Sequence, residues 1–181
     1  MKTWAKMMLV GGLSTPLCGY AAYETMRTAH IPVETDSMAL HVPKYNQWFG
    51  VKPTRCSAYA RRAAKDIFNL TYSKANAWDR VYTDECVSEV RELHSLDELA
   101  DEGVLNPGMI VGFYNPSSKF KEETDSRGNG VEFTHVALYL GQKNGEPLFA
   151  HQFGKKTRVD SLDGLARLNI EPRVVLKPSE K

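Results

Sequence analysis

Residues 54–70 read TRCSAYARRAAKDIFNL, and this stretch decides the fold. Pro53 and Thr54 stand at its start, and threonine is a common N-cap residue. The stretch therefore predicts an amphipathic helix over Cys56–Leu70 with a cysteine on its first turn. The residues of its apolar face recur at helical spacing and are Cys56, Tyr59, Ala60, Ala63, Ala64, Ile67 and Phe68.

The position of Cys56 has two interpretations. Backbone N–H groups and the positive dipole end at a helix N-terminus stabilise a thiolate. They can lower a cysteine pKa from about 8.5 to roughly 3.5–7.5, which would make Cys56 a reactive nucleophile. The alternative is a small buried residue that happens to begin a helix. A disulfide to Cys86 in an oxidising compartment would remove the nucleophile.

The composition fits one domain with an N-terminal extension. The chain has 181 residues, of which 42% are hydrophobic and 25% charged, as in an ordinary globular protein. A net charge of +1 provides no general attraction to nucleic acid. Three cysteines are too few for a disulfide framework.

The N-terminal residues 1–23 have the pattern of an export signal. Lys2 and Lys6 precede the apolar stretch 7–23, in which Gly19-Tyr20-Ala21 would be a small-x-small cleavage site. The same stretch could remain as a single membrane anchor with the body of the protein outside. A buried amphipathic helix is the remaining alternative. We expect an exported protein of the periplasm or cell envelope, either secreted or anchored.

The rest of the chain changes from helical to strand periodicity. Pro32, Pro43 and Pro53 predict irregular structure over His30–Thr54. This stretch leads from a linker over residues 24–44 onto a domain over residues 45–181. A second helical pattern covers Asp84–Leu93, and the capping box Ser95–Glu98 begins a short third helix. Helices followed by antiparallel strands describe an α+β domain. The predicted strands cover 109–114, 136–140, 147–153, 157–162 and 173–177, with a hairpin turn at Asn144-Gly145 and a long polar loop over 115–130.

Two histidines stand out on the predicted hairpin. His135 opens one strand, His151 lies in the next, and the turn lies midway between them. The two imidazoles should therefore be opposed or diagonal cross-strand neighbours. His151 would orient His135 and leave one nitrogen of His135 free to act on a thiol. Together with Cys56, the pair would supply a nucleophile, a base and an orienting group.

The order Cys56, His135, His151 resembles the NlpC-type and CHAP-type cysteine peptidases and amidases of bacterial cell walls. The resemblance covers roughly residues 45–177 and implies a papain-like core, in which a cysteine heads a helix packed on an antiparallel sheet that carries the histidine. It implies no cofactor. The matching stretches are Arg55–Tyr59, Pro107–Phe113, His135–Gly141 and Phe149–His151, with Ala75–Trp78 similar to the CHAP variant.

The resemblance also implies roles. Cys56 would attack an amide carbonyl of peptidoglycan through a thioester, as a stem-peptide endopeptidase or an amidase, with His135 as base and then acid. Backbone N–H groups of Cys56 and Ser57 would hold the oxyanion, a contribution of about 3–4 kcal/mol. Tyr59 and Trp78 would line the cleft or else belong to the core.

Three positions and one loop depart from the family pattern. Arg55 stands where the family has Asp, Ala58 where it has Gly, and Met109 where it has Asp, while the 115–130 loop is an insertion. These departures concern substrate specificity. Rival interpretations are a non-catalytic envelope protein on the same fold and an amidase or acyltransferase with another substrate. A zinc site at Cys56 and the two histidines would lack the usual close ligand pair, so no metal is expected.

Overall fold

The computed structural model describes residues 30–44, 56–72, 87–101, 103–119, 121–122, 133–154 and 156–178. Within these ranges the chain is mixed α/β with two antiparallel sheets. The elements are β1 (His30–Glu34), β2 (Ala39–Pro43), α1 (Cys56–Phe68), β3 (Val87–Glu92), a 3-10 turn (Asp97–Leu99), β4 (Ile110–Tyr114), β5 (His135–Lys143), β6 (Glu146–Phe153), β7 (Lys156–Ser161), α2 (Leu162–Ala166) and β8 (Glu171–Pro178).

The larger sheet is built around a hairpin of β5 and β6. Its strand order is β3-β8-β4-β5-β6-β7, and β1 and β2 form the separate two-stranded sheet. The predicted turn is confirmed: Asn144 and Gly145 have φ values of 54° and 78°, the left-handed conformation that tight hairpins need. The register shifts between Tyr139 and Gly141, which is a bulge in β5.

Two hydrophobic clusters lie on opposite faces of the larger sheet, because side chains alternate along a strand. The helix-side cluster joins Val136, Leu138 and Leu140 of β5 to the buried face of α1. The far-side cluster joins Ala137 and Tyr139 to residues of β4, β6, β8, α2 and the segment 93–109. Helix α1 thus covers one face of the sheet.

Helix α1 confirms the first helix predicted from the sequence. It begins at Cys56 and ends at Phe68, and Asn69 follows it with a positive φ of 57°. Asparagine is one of the residues that adopt this conformation at a helix end. Ala60, Ala63 and Ala64 are fully buried, and their small side chains allow the helix to lie close to β5 and β6.

The predicted second and third helices are wrong over their described residues. Val87–Glu92 is an edge strand that pairs with β8, although its valines recur at a helix-like interval of three. Of the third helix only the 3-10 turn Asp97–Leu99 forms. Glu98 still accepts hydrogen bonds from the His94 N–H (3.0 Å) and the Ser95 hydroxyl (3.3 Å). Among the described residues, α1 alone matches the predicted layer of N-terminal helices.

The irregular structure predicted from His30 onward is wrong over residues 30–43. Strands β1 and β2 form a hairpin whose Val33, Leu40 and Val42 are buried in the helix-side cluster. The Asp36 carboxylate accepts hydrogen bonds from the N–H groups of Asn144 (2.8 Å) and Gly145 (3.2 Å), which lower its pKa. These bonds fasten the hairpin to the β5–β6 turn. Prolines fit because a two-stranded sheet consists of edge strands.

The predicted signal or anchor, residues 1–23, lies outside the described residues. Among the described residues, no helix combines the length and apolar character needed to cross a membrane.

Gly112 lies where β4 is most tightly packed. A Cβ at this position would come within 2.8 Å of Val174 Cγ2 and 2.9 Å of Phe133 Cγ, both in buried side chains. We expect Gly112→Ala to lower the free energy of unfolding by about 1–3 kcal/mol, because the core must shift. Urea denaturation measures this. Gly145→Asn, at a turn with nothing within 4 Å, is the control and should cost less. A Gly112→Ala protein as stable as wild type would contradict the prediction.

Candidate active site

The structure places the two predicted histidines in direct contact. Nε2 of His135 lies 2.8 Å from Nδ1 of His151. Because the ladder pairs Leu138 with Ala150, the two histidines are diagonal neighbours. The cross-strand contact predicted from the sequence is thereby confirmed. It uses Nε2 of His135, so Nδ1 is the ring nitrogen of His135 that does not take part in it.

The histidine pair is buried among aromatic rings. His135 is 5% exposed and His151 0% exposed. The ring centroid of Phe153 lies 5.4 Å from that of His135 and 6.1 Å from that of His151. The ring centroid of Phe113 lies 6.4 Å from that of His135. Burial, followed by the charge of His151, lowers the pKa of His135 to about 3. His135 is therefore a neutral imidazole at neutral pH, with a proton on one ring nitrogen and a lone pair on the other.

A third side chain, Asp160, hydrogen-bonds to His151 and was not predicted from the sequence. Nε2 of His151 lies 2.9 Å from Oδ2 of Asp160. The Asp160 carboxylate also forms an ion pair with Arg158. Nε of Arg158 lies 2.8 Å from Oδ2 of Asp160, and Nη2 of Arg158 lies 3.0 Å from Oδ1. The hydrogen bond from His151, followed by that from Arg158, lowers the pKa of Asp160.

The sequence signal for Asp160 is the register of the second hairpin. The ladder pairs His151 with Arg158, so Asp160, two residues further along β7, shares a face with both. Locating the turn at Gly154 would have revealed this alternation. Charged residues such as Arg158 and Asp160 are common on the solvated face of a strand, so the two residues carry no signal by themselves.

Cys56 occupies the first residue of α1, as predicted, and is a partly buried thiol. It packs against the helix-side cluster, and α1 lies on β5 and β6. Ala137 and Tyr139 of β5 belong to the far-side cluster. Because side chains alternate along a strand, His135 lies on the same face of β5 as these two residues. A direct contact of Cys56 with His135 stays a prediction.

The remaining predicted site residues have different surroundings. Ser57 is buried, and its carbonyl accepts a hydrogen bond from Arg61 Nε at 3.3 Å. Tyr59 is fully buried, and its hydroxyl donates to the Pro43 carbonyl at 3.3 Å. Burial also raises the pKa of Tyr59. Tyr59 thus belongs to the core and does not line a cleft. Trp78 and Cys86 lie outside the described residues.

In the ranges that the structure describes, no three His, Cys, Asp or Glu side chains are grouped in a way that could hold a metal ion. Comparison of the chain with protein-family models, with curated proteins and with solved structures finds no match. An assignment of function therefore depends on the geometry of the site and on the motifs of the sequence.

Proposed function

We propose that the protein is a papain-like cysteine hydrolase that cleaves an amide bond of peptidoglycan, with Cys56 as nucleophile and His135 as base. The observation that carries this proposal is the 2.8 Å contact between His135 and His151. It engages Nε2 of His135 and leaves Nδ1 for a proton from the thiol. A neutral imidazole oriented by a second group is the usual activator of such a nucleophile.

The reaction divides into two steps. Sγ of Cys56 attacks the amide carbonyl carbon while its proton passes to Nδ1 of His135. The tetrahedral intermediate collapses to a thioester as His135 returns the proton to the leaving amine. In the second step His135 takes a proton from water, which attacks the thioester. The tetrahedral intermediate expels the thiolate of Cys56, and His135 returns its proton to this thiolate. The products are a carboxylic acid, which ionises to a carboxylate, and the regenerated thiol. Backbone N–H groups of Cys56 and Ser57 would stabilise both oxyanions.

The substrate class rests on the resemblance and on the coarse architecture. A helix with a cysteine at its first residue lies on an antiparallel sheet, and one strand of that sheet begins with the histidine. This arrangement supports a papain-like core. The N-terminal pattern supports export to the cell envelope, where peptidoglycan is the amide polymer within reach. Stem-peptide cleavage and cleavage at the sugar–peptide link are both consistent with this chemistry.

A non-catalytic envelope protein on the same fold is the second candidate. One observation favours it: Cys56 packs in the helix-side cluster, whereas His135 and His151 alternate with the far-side residues Ala137 and Phe149 and so face the other side of the sheet. In such a protein the histidines would only join β5 to β6.

Alkylation of the full-length protein separates these candidates. With iodoacetamide near pH 7, we expect stoichiometric modification of Cys56, located by mass spectrometry of its peptide. His135→Ala should slow the reaction about tenfold or more, because the reactive species is the thiolate that the imidazole helps to form. The matched control is His94→Ala. His94 is exposed, and its backbone N–H bonds to Glu98, which is not one of the site residues. A Cys56 that is inert, bonded to Cys86 or indifferent to His135→Ala would favour the non-catalytic protein.

A further inference from the structure

We infer that Asp160 is a positioning residue that sets which nitrogen of each histidine carries the proton. The observation is the continuous series of side chains from Arg158 through Asp160 and His151 to His135, with each contact at 2.8–3.0 Å. The proton positions follow from this geometry when Asp160 is ionised and both rings are neutral. Only their catalytic consequence rests on the proposed function.

Asp160 is held in place from two sides. Arg158 grips both of its carboxylate oxygens in a bidentate pair, which fixes the plane of the carboxylate. On the other side Gly164 of α2 lies so close that a Cβ there would come within 2.8 Å of Asp160 Cβ and 3.2 Å of its Oδ1. The Asp160 side chain is only 12% exposed, so water competes little for its oxygens.

The proton positions follow from the ionised carboxylate. An ionised carboxylate only accepts hydrogen bonds, so Nε2 of His151 must carry the proton that faces Asp160. In a neutral ring Nδ1 of His151 is then an acceptor. Nε2 of His135 must therefore carry the proton of the contact between the rings, which leaves a lone pair on Nδ1 of His135.

Loss of the carboxylate would allow the opposite arrangement. His151 could then carry its proton on Nδ1 and donate it to Nε2 of His135. A neutral His135 would in turn hold its own proton on Nδ1, the nitrogen that the thiol needs. Each ring keeps one proton in both arrangements. The hydrogen bond between the two rings therefore reverses its donor and acceptor without any change of charge. Asp160 thus selects the direction in which His135 acts as a base.

Nitrogen-15 NMR of histidine-labelled protein tests the inference, because long-range couplings identify the protonated nitrogen of each ring. In the wild-type protein at neutral pH we expect Nε2–H in both rings. In Asp160→Ala we expect loss of this single arrangement, with Nδ1–H populated in His135. The control is Asp163→Ala, an exposed carboxylate three residues away that should leave both rings unchanged.

Gly164→Ala is a second variant that retains the carboxylate but displaces it. In Gly164→Ala we expect the two histidines to exchange between the two proton arrangements. This variant therefore keeps the test possible if Asp160→Ala does not fold. Nε2–H retained in both rings of either folded variant would overturn the inference.

Turnover distinguishes this inference from the proposed function. If both hold, Asp160→Ala should lower kcat about 10–100-fold with little change in KM, a loss similar to that seen when the hydrogen-bond partner of a metal-bound histidine is removed. If the protons move as expected but Cys56 reacts at the same rate in wild type and in His135→Ala, the proposed function fails and the role of Asp160 stands.

Discussion

Cys56→Ala is expected to abolish cleavage of purified peptidoglycan, with a loss of at least about 10⁴-fold, because the proposed thioester forms on the Cys56 sulfur. The measurement is the release of soluble fragments, separated and identified by mass. Fragments cut within the stem peptide would indicate an endopeptidase, and free stem peptides an amidase. The full-length protein in detergent is the appropriate sample.

The matched control is Cys86→Ala, which removes a thiol to which no catalytic role is assigned. It should keep wild-type cleavage within a few-fold. A Cys56→Ala protein that retains a substantial part of the wild-type rate would exclude the thioester mechanism. Loss of cleavage in both variants would instead indicate that the two cysteines act together.

The second large effect is a loss of stability in mild acid, caused by His135. Its pKa is near the ordinary value of about 6.5 in the unfolded chain but about 3 in the folded protein. Between these values the unfolded state binds one more proton than the folded state. Stability from this group is therefore fully present above pH 6.5 and decreases as the pH falls toward 3. The decrease is about 1.4 kcal/mol per pH unit, or roughly 2–3 kcal/mol between pH 6.5 and 4.5.

Urea denaturation at pH 7 and at pH 4.5 measures this loss. His135→Gln cannot titrate, so its stability should change much less between the two pH values, whatever its stability at pH 7. His94→Gln should behave as wild type, since His94 is exposed and takes no part in the histidine pair. An unchanged pH dependence in His135→Gln would show that the buried imidazole is not the source. Asp160 also favours the folded state through its lowered pKa, but that contribution is lost mainly below pH 4.

The sequence was most informative where local signals agree with each other. The alternation of VALYL, the Asn144-Gly145 turn and the run PLFAHQF predicted a hairpin that the structure contains, and the turn position alone predicted the contact of His135 with His151. Helix α1 was equally predictable, because its periodicity and its start signals coincide. Neither prediction required knowledge of distant contacts.

Elements that depend on distant pairing were not predictable in this way. Val87–Glu92 has a helical interval of valines, but pairing with β8 at the other end of the chain makes it a strand. Residues 30–43 resembled a linker because of their prolines, and their structure depends on docking to the β5–β6 turn. Asp160 is recognisable only once the register of β6 and β7 is known.

The hairpin of β1 and β2 has a practical consequence for any attempt to produce a smaller form of the protein. A truncated chain starting at residue 45, the boundary suggested by composition, would lack Val33, Leu40 and Val42 and would expose the core surface that they cover. It would also leave the N–H groups of Asn144 and Gly145 without their carboxylate. Such a fragment should aggregate or unfold easily, and a failed activity assay on it would say nothing about catalysis. The smallest useful fragment has to begin before His30.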